Sequence, residues 1–179
     1  MDYPERVETE RLLLRRWAPS DAAAMRAIWA DDEVWMALGG LPRGDRVDVA
    51  DRSLERRIAN WDEDGFGLWA VVPRGHHEAI GWAGAWRQDV APSLLGEIEL
   101  GWTLRRGWWD QGLASEAARA SLAAAAEHIA PPRVISLIAP SNERSARVSV
   151  KLGMEQVSEV ASRDGNPLRV FALDLPNGG

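Results

Sequence analysis

An alternation of polar and apolar residues marks a strand in the middle of the chain. Successive side chains of a strand point to opposite faces, so the segment from Glu97 to Leu104 divides into two sets. The first set is polar or small and comprises Glu97, Glu99, Gly101 and Thr103. The intervening residues are all apolar. The pattern therefore predicts a strand with one acidic face and one apolar face.

A loop rich in Arg, Trp and Gly follows this strand and leads into a long helix that reaches Glu127. Small residues open the helix, and apolar residues at helical spacing mark one side of it: Ala114, Ala118, Leu122, Ala125 and Ile129. A helix start built from small residues exposes backbone N–H groups at the positive end of the helix dipole, where a phosphate can bind. Taken alone the motif is a weak signal, because most turns of this kind only connect a strand to a helix.

Periodicity along the rest of the chain predicts further strands and helices. The strands are Arg11–Trp17, Gly67–Val72, Ala79–Trp86, Arg133–Ala139, Glu155–Val160 and Leu168–Leu175. The helices are Ala22–Trp29, Val47–Asp62 and Asn142–Gly153, and the segment Gly39–Asp45 is a predicted loop. Hairpin-linked strands followed by a strand–helix–strand unit predict a mixed α/β fold. We expect a central, mostly antiparallel sheet of about seven strands flanked by four helices.

Length and composition narrow the class of protein. The 179 residues suffice for one domain and are too few for two ordinary ones. A net charge of −6 argues against a nucleic-acid partner, and the absence of Cys excludes disulfides, thiolate metal sites and a cysteine nucleophile. His76 and His77 are adjacent and have no third ligand in view, so no metal site is expected. The chain shows neither a signal-peptide core nor a membrane-spanning apolar run, which favours a cytoplasmic protein without a membrane partner.

Motifs spread over almost the whole chain carry a family resemblance. They are Thr9–Arg15, Gly65–Val71, Glu99–Trp102, Trp108–Ala117 and Asn142–Met154. In number, order and spacing they resemble the GNAT acyltransferase superfamily, and within it the RimJ/RimL-type branch. The resemblance implies one GNAT-like domain over residues 1–179. It also implies an enzyme that moves acetyl, or another short acyl group, from acetyl-CoA to a primary amine without a metal.

The resemblance also implies where acetyl-CoA binds. The N–H groups of Gln111–Ser115 would hold the pyrophosphate, and the backbone of Trp102–Leu104 would pair with pantetheine and stabilise the oxyanion. Asn142 would contact the cofactor and also cap the following helix. Trp109 stands at the first position of the family's R/Q-x-x-G-x-G/A loop. The implied cofactor-binding residues are Trp102, Thr103, Leu104, Trp109, Gln111, Gly112, Leu113, Ala114, Ser115 and Asn142.

The same strand supplies a candidate general base. A carboxylate at Glu99, beside a substrate cleft, can take the ammonium proton, and desolvation would raise its pKa toward the working range. Alternatively, Glu97 and Glu99 only cover a solvated sheet face. Many relatives protonate the departing thiolate with a Tyr in the late helix, but the one Tyr of this chain is Tyr3. Ser145 is therefore the candidate proton donor.

Several charged residues near these motifs have a plainer interpretation. Arg105 and Arg106 either neutralise phosphate charge or lie on the surface. Glu116 and Arg119 lie three residues apart in one helix, so they are expected to form a surface ion pair.

Two other functions are compatible with the same residues. One is a CoA-binding sensor or accessory module without catalysis, and the other is a binding protein for a cationic metabolite, which would use the acidic strand face. For the enzyme, the absence of Cys favours direct attack by the amine in a ternary complex. The acceptor remains open among a protein N-terminus, a polyamine, an aminoglycoside and an amino acid. Whether the protein is a monomer or a homodimer is also open.

Overall fold

One sheet of eight strands runs through the molecule, in the order β1-β2-β3-β4-β5-β6-β8-β7. The computed structural model describes residues 2–38 and 45–176. The strands are β1 (Arg6–Glu8), β2 (Leu12–Arg15), β3 (Leu68–Pro73), β4 (Gly81–Arg87), β5 (Ile98–Leu104), β6 (Arg133–Ile138), β7 (Glu155–Ala161) and β8 (Pro167–Asp174). Strands β5 and β6 are parallel, and the other neighbouring pairs are antiparallel. The predicted mixed, mostly antiparallel sheet is confirmed.

Helices cover both faces of this sheet. They are α1 (Ala22–Ala30), α2 (Asp32–Ala37), α3 (Arg46–Asp64), α4 (Leu113–Ala124) and α5 (Glu143–Lys151). Apolar residues of α1 and α3 pack on one face, and those of α4 and α5 pack on the other. Asp45 caps the start of α3, and Gly65 ends it in the left-handed region at φ 75°. Within residues 2–38 and 45–176, no helix is both long enough and apolar enough to cross a membrane.

The described residues form one strand and one α-helix more than predicted. Strand β1 has three residues and none of them is buried, so its polar–apolar–polar alternation is too short to mark a strand in the sequence. Helix α2 has six residues, of which Val34 alone is buried, and it begins at a cap formed by Asp31. Helix α4 ends at Ala124 and continues as a short π-helical turn. Most of the predicted loop, residues 39–44, lies outside the described residues.

Strand β5 has the predicted apolar face, but its polar face is not solvated. Leu100 and Trp102 are buried against the α4 side of the sheet. Glu99 points the other way, yet it is only 5% exposed. Gly101 and Thr103 on the same face are only partly buried, so this face is shielded most strongly at Glu99. A single strand pattern cannot reveal such shielding.

Candidate active site

Strands β5 and β6 separate near Glu99. In the described residues, these two strands are paired at Glu99 and Ile135. On the opposite side of β5, the N–H of Arg105 donates back toward β4. Antiparallel pairing alternates along a strand, so the backbone groups of Trp102 and Leu104 face the gap toward β6 instead. The gap therefore exposes backbone N–H and C=O groups as the edge of a sheet does.

The gap belongs to a cleft of about 1250 Å³. Its lining comes from both faces of the sheet and includes β5, the starts of α4 and α5, the inner side of α3 and the β7–β8 hairpin. The residues with polar side chains that line the cleft include Ser53, Arg57, Asp89, Glu99, Thr103, Asn142, Arg144, Ser145, Arg147 and Lys151. Molecules that enter from the two faces can therefore meet at β5.

Glu99 lies in this cleft at the point where the strands part. One carboxylate oxygen accepts the N–H of Leu137 at 3.4 Å, while Oε2 is buried and has no hydrogen-bond partner in the part of the chain that the structure describes. Burial raises the pKa of Glu99 from 4.5 to about 8; the Leu137 hydrogen bond opposes this shift, and the nearby Asp89 charge adds to it. Such a carboxyl group can exchange a proton near neutral pH.

Glu97 has a different environment from Glu99. Its carboxylate forms an ion pair with Arg133 at 2.7 Å, where β5 and β6 begin. It does not line the cleft. The acidic strand face of the sequence pattern thus contributes a single carboxylate to the site.

The start of α4 forms the second part of the site. Gly112 precedes the helix in the left-handed region at φ 78°, and no described side chain caps the helix. The N–H groups of Leu113, Ala114 and Ser115 therefore have no acceptor within the helix, as is general for a first turn. All three residues line the cleft. The predicted small-residue helix start therefore opens onto the cleft.

The loop before α4 is held by Trp109. Its indole N–H donates to the Leu104 carbonyl, and its ring lies between the guanidinium groups of Arg106 and Arg144, at 5.2 and 5.0 Å from their central carbons. Arg144 lines the cleft, whereas Arg106 does not. The predicted phosphate-neutralising residue Arg105 does not line it either. The predicted Gln111 lies beside the cleft and donates to the Gly107 carbonyl at 3.1 Å.

Glu116 anchors the same helix start from behind. Its carboxylate accepts Thr9 Oγ1 at 2.6 Å, Arg11 N–H at 2.8 Å and Arg11 Nε at 2.7 Å. Arg11 also donates to the Gln111 carbonyl at 2.9 Å. The expected surface pair with Arg119 is wrong, because the segment before β2 reaches the first turn of α4 and supplies better donors.

Helix α5 contributes Asn142 and Ser145. The Asn142 side chain accepts the N–H of Ser145 at 3.1 Å, so the predicted cap is confirmed, and its amide donates to the Ala37 carbonyl at 2.9 Å. Both residues line the cleft. Asn142 thus ties the start of α5 to the end of α2, a contact that no local pattern indicates.

Residues 11–155 match the family of acetyltransferase (GNAT) domains. This chain belongs to that family. The uncharacterized protein YkkB of Bacillus subtilis is 28% identical over 177 residues, which is 96% of each chain. The crystal structure of an acetyltransferase from Agrobacterium tumefaciens is similar with a TM-score of 0.80 and 29% identity, over 97% of this chain and 95% of that one.

The fold is also shared with a RimL-type enzyme. RimL, a ribosomal L7/L12 α-N-protein acetyltransferase solved in complex with coenzyme A, is similar with a TM-score of 0.71. The similarity covers 99% of this chain and 100% of the RimL chain. At 13% sequence identity it is a similarity of fold. The resemblance to the GNAT superfamily is therefore confirmed, and this chain is an acetyltransferase.

Sequence reasoning suggests the helices Ala22–Trp29 and Val47–Asp62 and the loop between them as a candidate substrate wall, but it assigns a role to none of the residues with which this acetyltransferase lines this wall of the cleft beside β5. That wall consists of aromatic residues of α1 and β4 and polar residues of α3: Trp29, Trp82, Trp86, Ser53, Arg56, Arg57 and Asn60. Gly101 leaves room for one of them, because a Cβ there would lie 2.6 Å from the Trp86 ring. The signal in the sequence is faint: Ser53 and Arg57 lie one helical turn apart beside the apolar stripe of α3.

Proposed function

We propose that this protein transfers the acetyl group of acetyl-CoA to a primary amine by direct attack. The observation that carries the proposal is the Glu99 carboxyl group, which is buried, has no partner on Oε2 among the residues that the structure describes, and lies where β5 and β6 part. A structural carboxylate at such a depth would ordinarily be fully hydrogen-bonded. Its position in the lining of the cleft fits a role in proton transfer.

The part of the cleft that β5 and the starts of α4 and α5 line matches the chemistry of acetyl-CoA. The uncapped N–H groups of Leu113–Ser115 suit a pyrophosphate, and Arg144, Arg147 and Lys151 supply positive charge along the same wall. The amide groups of pantetheine suit the backbone edge that faces the gap, where the Leu104 carbonyl already accepts from Trp109 and the backbone groups of Trp102 and the Leu104 N–H face the gap. The backbone of Thr103 faces β4 by the same alternation, so its contribution is its side chain in the cleft.

The reaction proceeds in steps whose protons and bonds balance. Glu99 in its ionised form takes one proton from the substrate ammonium, directly or through water. The free amine nitrogen then attacks the thioester carbon, and a backbone N–H facing the gap stabilises the oxyanion. Collapse of the tetrahedral intermediate breaks the carbon–sulfur bond and releases the CoA thiolate. The surplus proton on the attacking nitrogen passes through the Ser145 hydroxyl group to that thiolate, and Glu99 afterwards returns its own proton to solvent. We assign protonation of that thiolate to Ser145, whose hydroxyl group forms no side-chain hydrogen bond among the described residues and which lines the cleft.

A screen of primary amines with acetyl-CoA tests the proposal. We expect mass spectrometry to find at least one amine that gains an acetyl group, with Glu99→Gln much slower and Glu97→Gln active. CoA binding by calorimetry without transfer to any amine would instead support a non-catalytic module. An amine that binds equally well without CoA, and is never modified, would support a metabolite-binding protein.

A further inference from the structure

Arg57 places a positive charge in the part of the cleft that α1, α3 and β4 line, where the acceptor amine would bind. Its guanidinium lies over the Trp82 ring, 4.2 Å from the centroid, and its Nη1 donates to the Ser53 carbonyl at 2.9 Å and to the Ser53 hydroxyl. Its Nε is inaccessible to solvent and has no hydrogen-bond partner among residues 2–38 and 45–176. Burial, with a smaller effect from the Arg56 charge, lowers the pKa of Arg57 to about 9, so the group stays charged at neutral pH.

Arg57 is partly buried, and among the described residues it has no carboxylate partner of the kind that a desolvated charge usually has. The neighbouring Arg56 pairs with Asp89. All 27 Asp and Glu residues of the chain fall within the described ranges, and none of them forms an ion pair with Arg57 there. Folding alone therefore does not explain why a guanidinium is held at this position.

We propose that Arg57 binds a carboxylate of the acceptor, so that the substrate is an amino acid or another amine that carries a carboxylate. This inference rests on the proposed acetyl transfer and specifies its acceptor. A guanidinium is suited to the role because its planar donors match a carboxylate, whereas stacking on Trp82 keeps its orientation fixed.

The ammonium and carboxylate groups of such a substrate match the positions of Glu99 and Arg57 in the cleft. Arg57 stacks on Trp82, which pairs with Thr103, and the Trp86 position pairs with Glu99. Thr103 and Glu99 are about 14 Å apart along an extended strand, a span that the side chains of Arg57 and Glu99 and a small acceptor can fill together. The ammonium end would lie toward Glu99 and the carboxylate end toward Arg57.

This placement discriminates among the acceptors that the sequence left open. A polyamine or an aminoglycoside would bring further cations toward a guanidinium without a counter-ion, which is unfavourable. A carboxylate-bearing amine removes that conflict. The Trp29, Trp82 and Trp86 rings provide an apolar surface for the rest of such a molecule.

The test compares acceptors that differ only in the carboxylate. The wild-type protein is assayed with acetyl-CoA and the standard amino acids, their carboxamides, and dipeptides with Asp or Glu at the second position. We expect kcat/KM to favour a free amino acid over its carboxamide by about 10- to 100-fold, the range for a hydrogen-bonded charge pair. A preference for the acidic dipeptide over its Asn or Gln counterpart would also support the carboxylate site and identify a peptide as its source.

Three variants separate recognition from folding. Arg57→Gln should abolish the preference for the acid, because kcat/KM should fall far more with the acid than with the carboxamide, and Arg57→Lys should retain part of the preference. Arg52→Gln removes the same charge from an exposed position of the same helix outside the cleft, and should keep the full preference. A purely structural role of Arg57 would lower the rates with acid and carboxamide alike.

Two results would overturn the inference in different ways. If carboxamides or simple amines are acetylated as well as the acids are, or if Arg57→Gln reduces both by the same factor, acetyl transfer stands and the carboxylate site is wrong. If no amine of any kind gains an acetyl group, the proposed function fails and this inference fails with it.

Discussion

Two glutamates of one strand differ in environment, and that difference governs what each can do. Glu97 pairs with Arg133 where β5 and β6 begin, whereas Glu99 is buried and, within residues 2–38 and 45–176, one of its oxygens has no hydrogen-bond partner. Removing water from a carboxylate disfavours its ionised form, so burial is the main cause of the high pKa of Glu99. The same burial makes the ionised form a stronger base once it forms.

Replacing Glu99 tests its role as a base. Glu99→Gln keeps the shape of the side chain but cannot accept a proton, so kcat should fall by about 10²–10⁴-fold, the usual contribution of a general base. In the wild-type protein kcat/KM should rise with pH and level off above pH 8 or so, because the pKa of Glu99 is about 8. The variant should lack this rise.

Glu97→Gln is the matched control for that experiment. It makes the same chemical change two positions away on the same strand face, but outside the cleft. It should keep both the rate and the pH profile. Wild-type rates in Glu99→Gln at every pH would show that water or the free-base fraction of the acceptor supplies the deprotonation.

The pKa of Glu99 also predicts how stability changes with pH. The folded protein keeps the proton up to about pH 8, whereas the carboxyl group of the unfolded chain loses it near 4.5. Between these values the folded state binds more protons, so its free energy of unfolding should fall as pH rises. Denaturant unfolding at intervals from pH 5 to 8 should show a decline that Glu99→Gln lacks. Parallel stability curves for the two proteins would contradict the raised pKa.

At the scale of elements, the start of α4 combines an open end with a firm anchor. The first turn carries no side-chain cap, while Glu116 within it binds Thr9 and Arg11 of the preceding hairpin. Partial burial acts to raise the pKa of Glu116, but hydrogen bonds from Thr9 and Arg11 outweigh it and hold that pKa below the ordinary value. The anchor therefore fixes the position of the N–H groups without covering them.

A charged side chain at the helix start tests whether those N–H groups bind CoA. Gly112→Glu would place a carboxylate where a pyrophosphate must approach, so CoA binding should be lost. Gly75→Glu is a suitable control, because Gly75 has nearly the same φ, 81° against 78°, and lies in the β3–β4 turn outside this cleft. Both changes should cost about 1–2 kcal/mol through left-handed strain.

The two variants should therefore melt at similar temperatures and differ in CoA affinity by calorimetry. Wild-type affinity in folded Gly112→Glu would remove this helix start from the site.

Sequence patterns predicted the elements that bury a regular stripe and missed those that depend on distant partners. The apolar face of β5 and the small-residue start of α4 followed from local periodicity. In the described residues strand β1 is paired only with β2, and the environment of the Glu99 carboxylate includes Leu137 and Asp89, both of which lie outside its strand. For the same reason the roles of Asn142 toward α2 and of Arg57 in the cleft wall required the folded chain, since each is defined by residues far away in sequence.

At the scale of the molecule, the parting of β5 and β6 explains why one cleft reaches both faces of the sheet. The antiparallel strands β1 to β5 form one block, and β6, β8 and β7 form another, joined by a short parallel contact. Helices α4 and α5 border the gap on one face, and α1 and α3 border it on the other. A donor bound along the gap would thus present its thioester to an acceptor held against α3.

This arrangement predicts sequential kinetics through a ternary complex. The chain has no Cys, and no described side chain forms a hydrogen bond that would activate the Ser145 hydroxyl as a nucleophile, so an acyl-enzyme has no evident attachment point. Initial rates measured over a grid of acetyl-CoA and amine concentrations should give double-reciprocal lines that intersect. Incubation with acetyl-CoA alone should leave the protein mass unchanged. Parallel lines, together with an acetylated protein that passes its acetyl group to an added amine, would contradict direct attack and point to a covalent intermediate on a side chain of the cleft.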